Sequence, residues 1–280
     1  MNDDVTVAIT CFNYGAFLPG AVQSALGQAG GPPRVIVVDD GSTDQRTLAE
    51  LERLPPEVDL VRQENAGVAS ARNAALERIR TPFALVLDAD DLLTPTSLAL
   101  LREPLDADRS LGFSYGQMRF FGEWEGLLRM PPYDPYRLLY RHTIGATALM
   151  RREMVEDVAG FDSEFVGYED WEYWVHALAR GWRGRRVEEV TVLYRRHGPS
   201  RHLEGRALYR DAFRELRRKH ARLYGRAGRR RIAEESDLNA FGRLVYRWWW
   251  GWRPLPARLE LLLQSMLWRP ERPLGTRRHR

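Results

Sequence analysis

Among 280 residues there is a single cysteine, Cys11, and a single lysine, Lys219. One thiol excludes an intramolecular disulfide framework and any zinc site built on several thiolates, and it fits a reducing, cytoplasmic setting. No uninterrupted apolar run approaches the ~20 residues that a membrane span requires. The opening residues, Met1-Asn2-Asp3-Asp4, are acidic and lead straight into a strand-like stretch, so no secretory signal is expected. Internal repeats and low-complexity linkers are lacking too. With 44% hydrophobic and 29% charged residues the proportions are globular, which excludes a disordered chain, a collagen or a membrane-embedded bundle.

The scarcity of lysine leaves a basic complement made almost wholly of arginine, and it is unevenly spread. Residues 1–200 hold 21 basic against 30 acidic side chains, whereas residues 201–280 hold 21 against 8. An acidic body, 1–200, is therefore expected to carry a basic, aromatic-rich helical extension, 201–280.

Along the body, short apolar runs alternate with helical patterns. Val5 to Thr10 is β-rich, and Leu18, Val22 and Leu26 then share one helix face, with Pro19 in the first turn. Arg34 to Val38 is a strand buried on both faces. Thr43 or Asp44 can cap a helix carrying Leu48, Leu51 and Leu54. Val58 to Val61 is a third strand, a helix follows with Val68, Ala71, Ala75 and Ile79 inward, and Phe83 to Leu87 is a fourth strand. This alternation predicts an α/β fold with a mostly parallel, helix-covered sheet, whose ligands sit beyond the carboxyl ends of the strands. Beyond residue 110 the pattern loosens. One or two strands are expected over 111–121, a Pro- and Tyr-rich loop over 131–145, and a short helix over 151–158. A helix from Glu169 to Gly181, a strand over 187–195 and a basic helix over 203–224 follow.

Five features at or near the predicted strand ends carry chemistry. Asp88-Ala89-Asp90-Asp91 places three carboxylates in four residues, a poor arrangement without a cation and a good one for a hard divalent ion held by oxygen; a helix N-terminus is the plainer explanation. Asp39-Asp40-Gly41-Ser42 offers a carboxylate to a ribose or base edge, or is a simple turn. Arg72 can reach a nucleotide, neutralise the strand-end acids, or lie on the surface. In Glu169-Asp170, opening an aromatic helix, an aspartate can act as general base or merely cap the helix. His197, leaving a strand into Gly198-Pro199, is a metal ligand or an ordinary loop residue.

Taken in order, Thr10-Cys11-Phe12-Asn13, Val38 to Asp44, Asn65-Ala66-Gly67 with Ala71-Arg72-Asn73, Leu87 to Asp91, Gly160-Phe161-Asp162, Glu169-Asp170 and His197 resemble the GT-A glycosyltransferases of family 2 over residues 5–200. The resemblance implies an inverting transferase that uses a nucleotide-sugar, a UDP-sugar in most of the family, with Mg²⁺ or Mn²⁺. It places Thr10, Phe12, Asp40, Arg72, Asp88 and Asp90 in the nucleotide-sugar pocket, Asp90, Asp91 and His197 around the metal, and Asp170 as the catalytic base. Phe12 stands where the family commonly has tyrosine, so stacking survives and a phenol hydrogen bond does not. The family's processive synthases carry Gln-x-x-Arg-Trp; here Arg247-Trp248 follows Leu244, which implies one sugar per catalytic event.

Two other functions also place acids or a nucleotide pocket on such a sheet. A nucleotidyltransferase would also put acids on a nucleotide-binding sheet, but it would normally carry a glycine-rich, lysine-bearing loop, and Thr10 to Gly15 is not one. A non-catalytic sugar-nucleotide-binding assembly protein is the other. In the extension, four tryptophans among residues 248–252 with flanking arginines suit a membrane interface over 244–268. This fits a lipid-linked or saccharide acceptor in surface polysaccharide assembly, at the inner face of the membrane. Packing of the same aromatics on the body or on a second copy, giving a homo-oligomer, is the alternative. The arginines of 201–231, with few interleaved aromatics, read as a solvated helix face, and no nucleic-acid partner is expected.

Overall fold

A computed structural model describes residues 3–165, 167–197 and 201–249. The first half is the alternating unit. It runs β1 (Val5–Cys11), α1 (Leu18–Leu26), β2 (Arg34–Asp39), α2 (Gln45–Glu52), β3 (Val58–Arg62), α3 (Val68–Leu76) and β4 (Phe83–Asp88). All seven residues of β1 are buried, as a strand covered by helices on both faces requires. β3, β2, β1 and β4 pair in parallel, in that order. Register brings the strand ends level: Cys11 lies opposite Asp39, and Thr10 lies opposite both Val38 and Asp88. Asp44 caps α2, its carboxylate accepting from the Thr47 amide at 2.9 Å.

The second half departs from the simple pattern. It comprises β5 (Leu92–Leu93), α4 (Ser97–Ala107), β6 (Leu111–Gly122), β7 (Gly126–Leu128), α5 (Pro135–Leu138), β8 (Leu149–Arg151), α6 (Arg152–Val158), α7 (Glu169–Ala179) and β9 (Arg183–Arg196). The sheet continues from β4 through β8, β6 and β9 to β5, with β7 on the edge of β6. β8 runs antiparallel to both β4 and β6, β6 and β9 are parallel, and β5 is antiparallel to β9, so the whole is mixed. Two- and three-residue strands such as β5 and β8 are too short to leave a period in the sequence. β9 begins at Arg183, four residues before the expected start, because the polar residues Arg183 to Arg186 take strand form by pairing with β6 and leave no apolar run in the sequence. Leu54 and Ile79 lie beyond the ends of α2 and α3, and α5 interrupts the expected loop over 131–145.

The extension folds as α8 (Arg201–Lys219), α9 (Ala221–Tyr224), α10 (Arg226–Glu234) and α11 (Ala240–Trp249). Tyr209, Phe213, Leu216, Leu223, Tyr224 and Ile232 belong to the same buried cluster as the sheet. Tyr209 and Phe213 dock on α7, where Trp171, Tyr173 and Trp174 are all fully buried, while Tyr224 packs on Tyr140 and donates to the Leu139 carbonyl just beyond α5. Trp171 stacks with Tyr209 at 5.5 Å and with Phe213 at 5.9 Å between ring centroids. A helix apolar on so much of its circumference needs cover on both sides. The sheet supplies one side and the extension the other. Trp250, Trp252 and the apolar stretch 259–263 lie outside the described residues.

Candidate active site

The turn after β2 is built around two aspartates with different tasks. Asp39 is fully buried and structural: its Oδ1 accepts from the Ser42 amide at 3.0 Å and its Oδ2 from Arg62 Nε at 3.1 Å. Asp40 faces the next loop. Its Oδ1 accepts from Gln63 Nε2 at 2.7 Å and from the Ala66 amide at 2.9 Å, and its Oδ2 from the Gly67 amide at 2.9 Å. A carboxylate has about four acceptor sites. One is therefore left on Asp40 for a base or ribose. Gly41 lies between these two carboxylates and Ser42 with φ +74°, and a Cβ there would lie 2.6 Å from the Asn65 amide nitrogen, so no side chain fits. Asn13, at φ 55°, holds the other wall, its Oδ1 accepting from the amides of Thr43 and Asp44. Phe12, beside it, is 42% exposed and free to stack on a planar ring.

At the end of β4, Asp88, Asp90 and Asp91 place one carboxylate oxygen each within 4.8 Å of one another. Burial first, and then the like charges of its neighbours, push Asp91 well above the usual carboxylate range; Asp90 is pushed up for the same reasons. Three crowded hard oxygens are the donor set a divalent cation selects. β9 closes over the cluster. The Arg195 amide donates to Asp91 Oδ1 at 2.9 Å, and Arg195 Nε donates to the Asp90 carbonyl at 2.9 Å, while its guanidinium lies over Phe17 and Phe121. His197 Nε2 meets Asp90 Oδ2 at 2.9 Å, and its ring packs against Phe17 and Tyr14. Thr10 Oγ1 donates to Asp88 Oδ1 at 3.2 Å.

Arg72 is the hinge of the arrangement. It is 4% exposed on α3, and its Nη2 donates to both oxygens of Asp88 at 3.0 and 3.3 Å while its Nη1 donates to Glu169 at 2.9 Å. Of the roles open to it in the sequence, it takes that of neutralising the acids. Its neighbour Asn73 ties α3 to the turn before α7, with the Phe161 amide donating to Oδ1 at 2.7 Å and Nδ2 donating to the Phe161 carbonyl at 2.8 Å. One face of α3 thus fixes Glu169-Asp170 against the strand-end acids.

Asp170 lies partly exposed in the first turn of α7. Burial opposes its ionisation, but His142 and Arg72 outweigh it and hold the carboxyl below the usual range. His142 Nε2 is 2.9 Å from Asp170 Oδ2, and Asp170 Oδ1 accepts from the Trp171 amide at 2.8 Å. Glu169 behaves oppositely: burial and the charge of Asp170 raise it despite Arg72. Two adjacent carboxyls whose environments separate them in this way suit different tasks. Every residue singled out at the strand ends, Thr10, Phe12, Asp40, Arg72, Asp88, Asp90, Asp91, Asp170 and His197, falls in or beside this constellation. His142, Asn73, Glu169 and Arg195 gained their roles only from tertiary contacts. The bare signal for His142 was a lone histidine in a Pro- and Tyr-rich loop.

The profile of Glycosyl transferase family 2 matches residues 6–159. The chain is 31% identical over 213 residues to the succinoglycan biosynthesis protein ExoO of Rhizobium meliloti, covering 69% of this chain and 60% of that protein. It is 25% identical over 202 residues to the UDP-Glc:alpha-D-GlcNAc-diphosphoundecaprenol beta-1,3-glucosyltransferase WfaP of Escherichia coli, covering 70% and 78%. It spans 16% of the length of the Escherichia coli chondroitin synthase, to which it is 34% identical over 113 residues. Among solved structures, Staphylococcus aureus TarS 1–349 in complex with UDP-GlcNAc superposes with a TM-score of 0.65 at 20% identity, covering 86% of this chain and 70% of that one. The mannosyltransferase PcManGT of Pyrobaculum calidifontis, in complex with GDP-Man and Mn²⁺, superposes with a TM-score of 0.56 at 20% identity, covering 96% and 88%. The likeness to both structures is one of fold, a mixed sheet flanked by helices as in GT-A glycosyltransferases. With the matched profile spanning the strands and turns that hold the acids and Arg72, the chain belongs to glycosyl transferase family 2.

Proposed function

We propose that this family 2 chain is a metal-dependent, inverting glycosyltransferase. In this reading it moves a sugar from a nucleotide-sugar, UDP-linked in the first instance, to a hydroxyl of a saccharide or lipid-linked acceptor during surface polysaccharide or glycoconjugate assembly. The observation that carries it is Arg72, whose single buried guanidinium joins the strand-end acids to the turn bearing Asp170. Donor diphosphate and acceptor hydroxyl would meet between them.

Phe12 would stack on the base, and Asp40 would use its remaining acceptor site on a base or ribose donor. Asp90 and Asp91, with Asp88 beside them and His197 closing from β9, would hold Mn²⁺ or Mg²⁺; the ion would neutralise charge on the leaving diphosphate. Asp170, ionised at neutral pH, would take the proton of the acceptor hydroxyl as that oxygen forms its bond to the anomeric carbon and the bond to the nucleotide breaks. Glu169 would stay paired to Arg72 and keep Asp170 aligned. The names of WfaP, which acts on a diphosphoundecaprenol-linked sugar, and of ExoO support a lipid-linked or polysaccharide acceptor.

The outward face of α11 supports membrane contact through 244–268, of which 250–268 lie outside the described residues. Phe241, Leu244 and Trp248 recur at helical spacing and are 69%, 57% and 73% exposed. No helix among the described residues is long and apolar enough to cross a membrane.

The test is a thermal-shift panel of UDP, GDP, CDP and dTDP with and without Mn²⁺, since a ligand that binds only the folded state raises Tm. UDP is expected to stabilise the protein only with metal, and the shift is expected to vanish in Asp91→Ala. Asp170→Asn is expected to keep the shift and lose sugar transfer. No shift with any nucleotide would favour a non-catalytic relative, and substantial transfer by Asp170→Asn would remove Asp170 as the base.

A further inference from the structure

We infer that His142 is the positioning residue of Asp170: it aims the carboxylate and sets its affinity for a proton. This rests on the reading of Asp170 as the base. His142 comes from the segment between α5 and β8, 28 residues before its partner, and its Nε2 lies 2.9 Å from two acceptors at once, Asp170 Oδ2 and the Ile144 carbonyl oxygen. A carbonyl oxygen can only accept, and an ionised carboxylate can only accept. Nε2 therefore carries a hydrogen in both charge states of the ring. Tyr168, one residue before α7, packs edge-on against the imidazole at 5.7 Å and limits its rotation. On the far side, the Trp171 amide holds Asp170 Oδ1. The carboxylate is thus clamped by one donor on each oxygen, leaving one acceptor site on each for an incoming hydroxyl.

The second part of the inference is electrostatic. The charged groups facing His142 are Asp170 and Glu169, both on α7, and burial of the ring is outweighed by them, so that its pKa lies above the ordinary 6.5. Coupling between two sites is reciprocal. Whatever factor the Asp170 charge adds to proton binding at His142, the imidazolium subtracts from proton binding at Asp170. Below the His142 pKa the base is fully ionised but weak; above it the same carboxylate is more basic and still hydrogen-bonded. Transfer is thus expected to rise as pH passes the His142 pKa. A bare aspartate held only by its helix would show no such step at neutral pH or above.

Two measurements decide it. Imidazole titration by ¹⁵N nuclear magnetic resonance, with His142→Gln assigning the signal among the six histidines, needs no activity. His142 is expected to hold its hydrogen on Nε2 and to titrate above 6.5, and its pKa is expected to fall in Asp170→Asn. An unchanged His142 pKa in Asp170→Asn, or a hydrogen on Nδ1 in the neutral ring, would overturn the inference. The second measurement is Mn²⁺-dependent UDP release from UDP-glucose and UDP-N-acetylglucosamine across pH 5.5–9. His142→Ala is expected to lower the rate about 10- to 100-fold with the UDP thermal shift unchanged. His142→Gln, which keeps a donor without the charge, is expected to recover most of the rate at high pH while losing the step. His142→Ala within about twofold of the parent at every pH would also overturn it. No UDP release by the parent protein would instead count against the transferase reading, leaving the titration to decide whether the pair is coupled.

Discussion

Arg72 illustrates how a single side chain can hold together two parts of a site that lie far apart in the chain. It neutralises Asp88 and Glu169 from a position almost free of solvent. Removing one partner of a buried ion cluster leaves uncompensated charge and costs about 3–5 kcal/mol. Arg72→Met is therefore expected to lower Tm by roughly 10 °C for a chain of this size, and Arg72→Lys to recover little of it, because an ammonium cannot span both carboxylates in the same plane. A fall of less than about 2 °C in a melting experiment would mean that the acids are content without it. Asp91 makes a second prediction. Its folded pKa lies well above the ordinary 3.8, and that of Asp90 also lies above it. Such groups favour the folded state when protonated and withdraw that stability as pH rises from the ordinary value through the raised one. The metal-free protein should lose stability across that window. Mn²⁺, which binds the ionised form, should restore it. Melting curves from pH 4.5 to 8 are expected to show a Mn²⁺ shift that grows with pH and is absent in Asp91→Asn. A shift independent of pH would contradict the assignment.

At the level of elements, α7 connects the candidate base to the extension. Its first turn carries Glu169 and Asp170, its buried rings support the fold, and Glu172, one turn further, is fully buried and accepts from His220 Nε2 at 2.7 Å while pairing with Lys219 Nζ at 2.9 Å. The only lysine of the chain is thus used as a clip, and it also reaches Asp162 at 2.6 Å. Burial works against the Glu172 charge, but His220 and Lys219 prevail and hold its pKa below the ordinary 4.5. The stability it adds is present above that value and is lost as pH falls through the lowered one. Glu172→Ala is expected to cost about 3 kcal/mol and to loosen α8 from α7. Limited trypsin digestion should then cut the arginine-rich α9–α10 region faster while the strands of the body stay intact; equal digestion of variant and parent would show that aromatic stacking alone holds the extension. Strands β1 to β4 were legible because each is an apolar run stopped by a polar turn. β5 and β8 were not, since two or three residues take their strand form from the neighbours they pair with.

For the whole molecule, the division into an acidic body and a basic extension has a spatial consequence. The extension shields α7 on one side and turns Phe241, Leu244 and Trp248 outward on the other, with Arg247 also exposed on α11. Tyr246 faces inward, under the Arg137 guanidinium at 5.8 Å. An amphipathic helix of this kind binds anionic bilayers through apolar insertion and arginine contacts together. Phe241→Ser with Trp248→Ser is expected to weaken sedimentation with phosphatidylglycerol vesicles about tenfold or more, and 0.5 M salt to weaken that of the parent, with UDP and Mn²⁺ binding unchanged. Unchanged vesicle binding, together with a smaller sedimenting species in the variant, would assign the face to a second copy instead.

Sequence alone determined the fold class, the positions where strands give way to turns, and the residue types at those turns, because hydrophobic period and turn chemistry are local properties. It also placed Asp170, Asp40 and the strand-end acids among the candidates. Tertiary structure decided how they are used. Register set Thr10 opposite Asp88, the packing of α3 sent Arg72 to two acids separated by 81 residues in the chain, and the loop before β8 delivered His142 to Asp170. Those outcomes depend on which surfaces meet once apolar faces are buried, and no local pattern of residues encodes the partner that burial will bring.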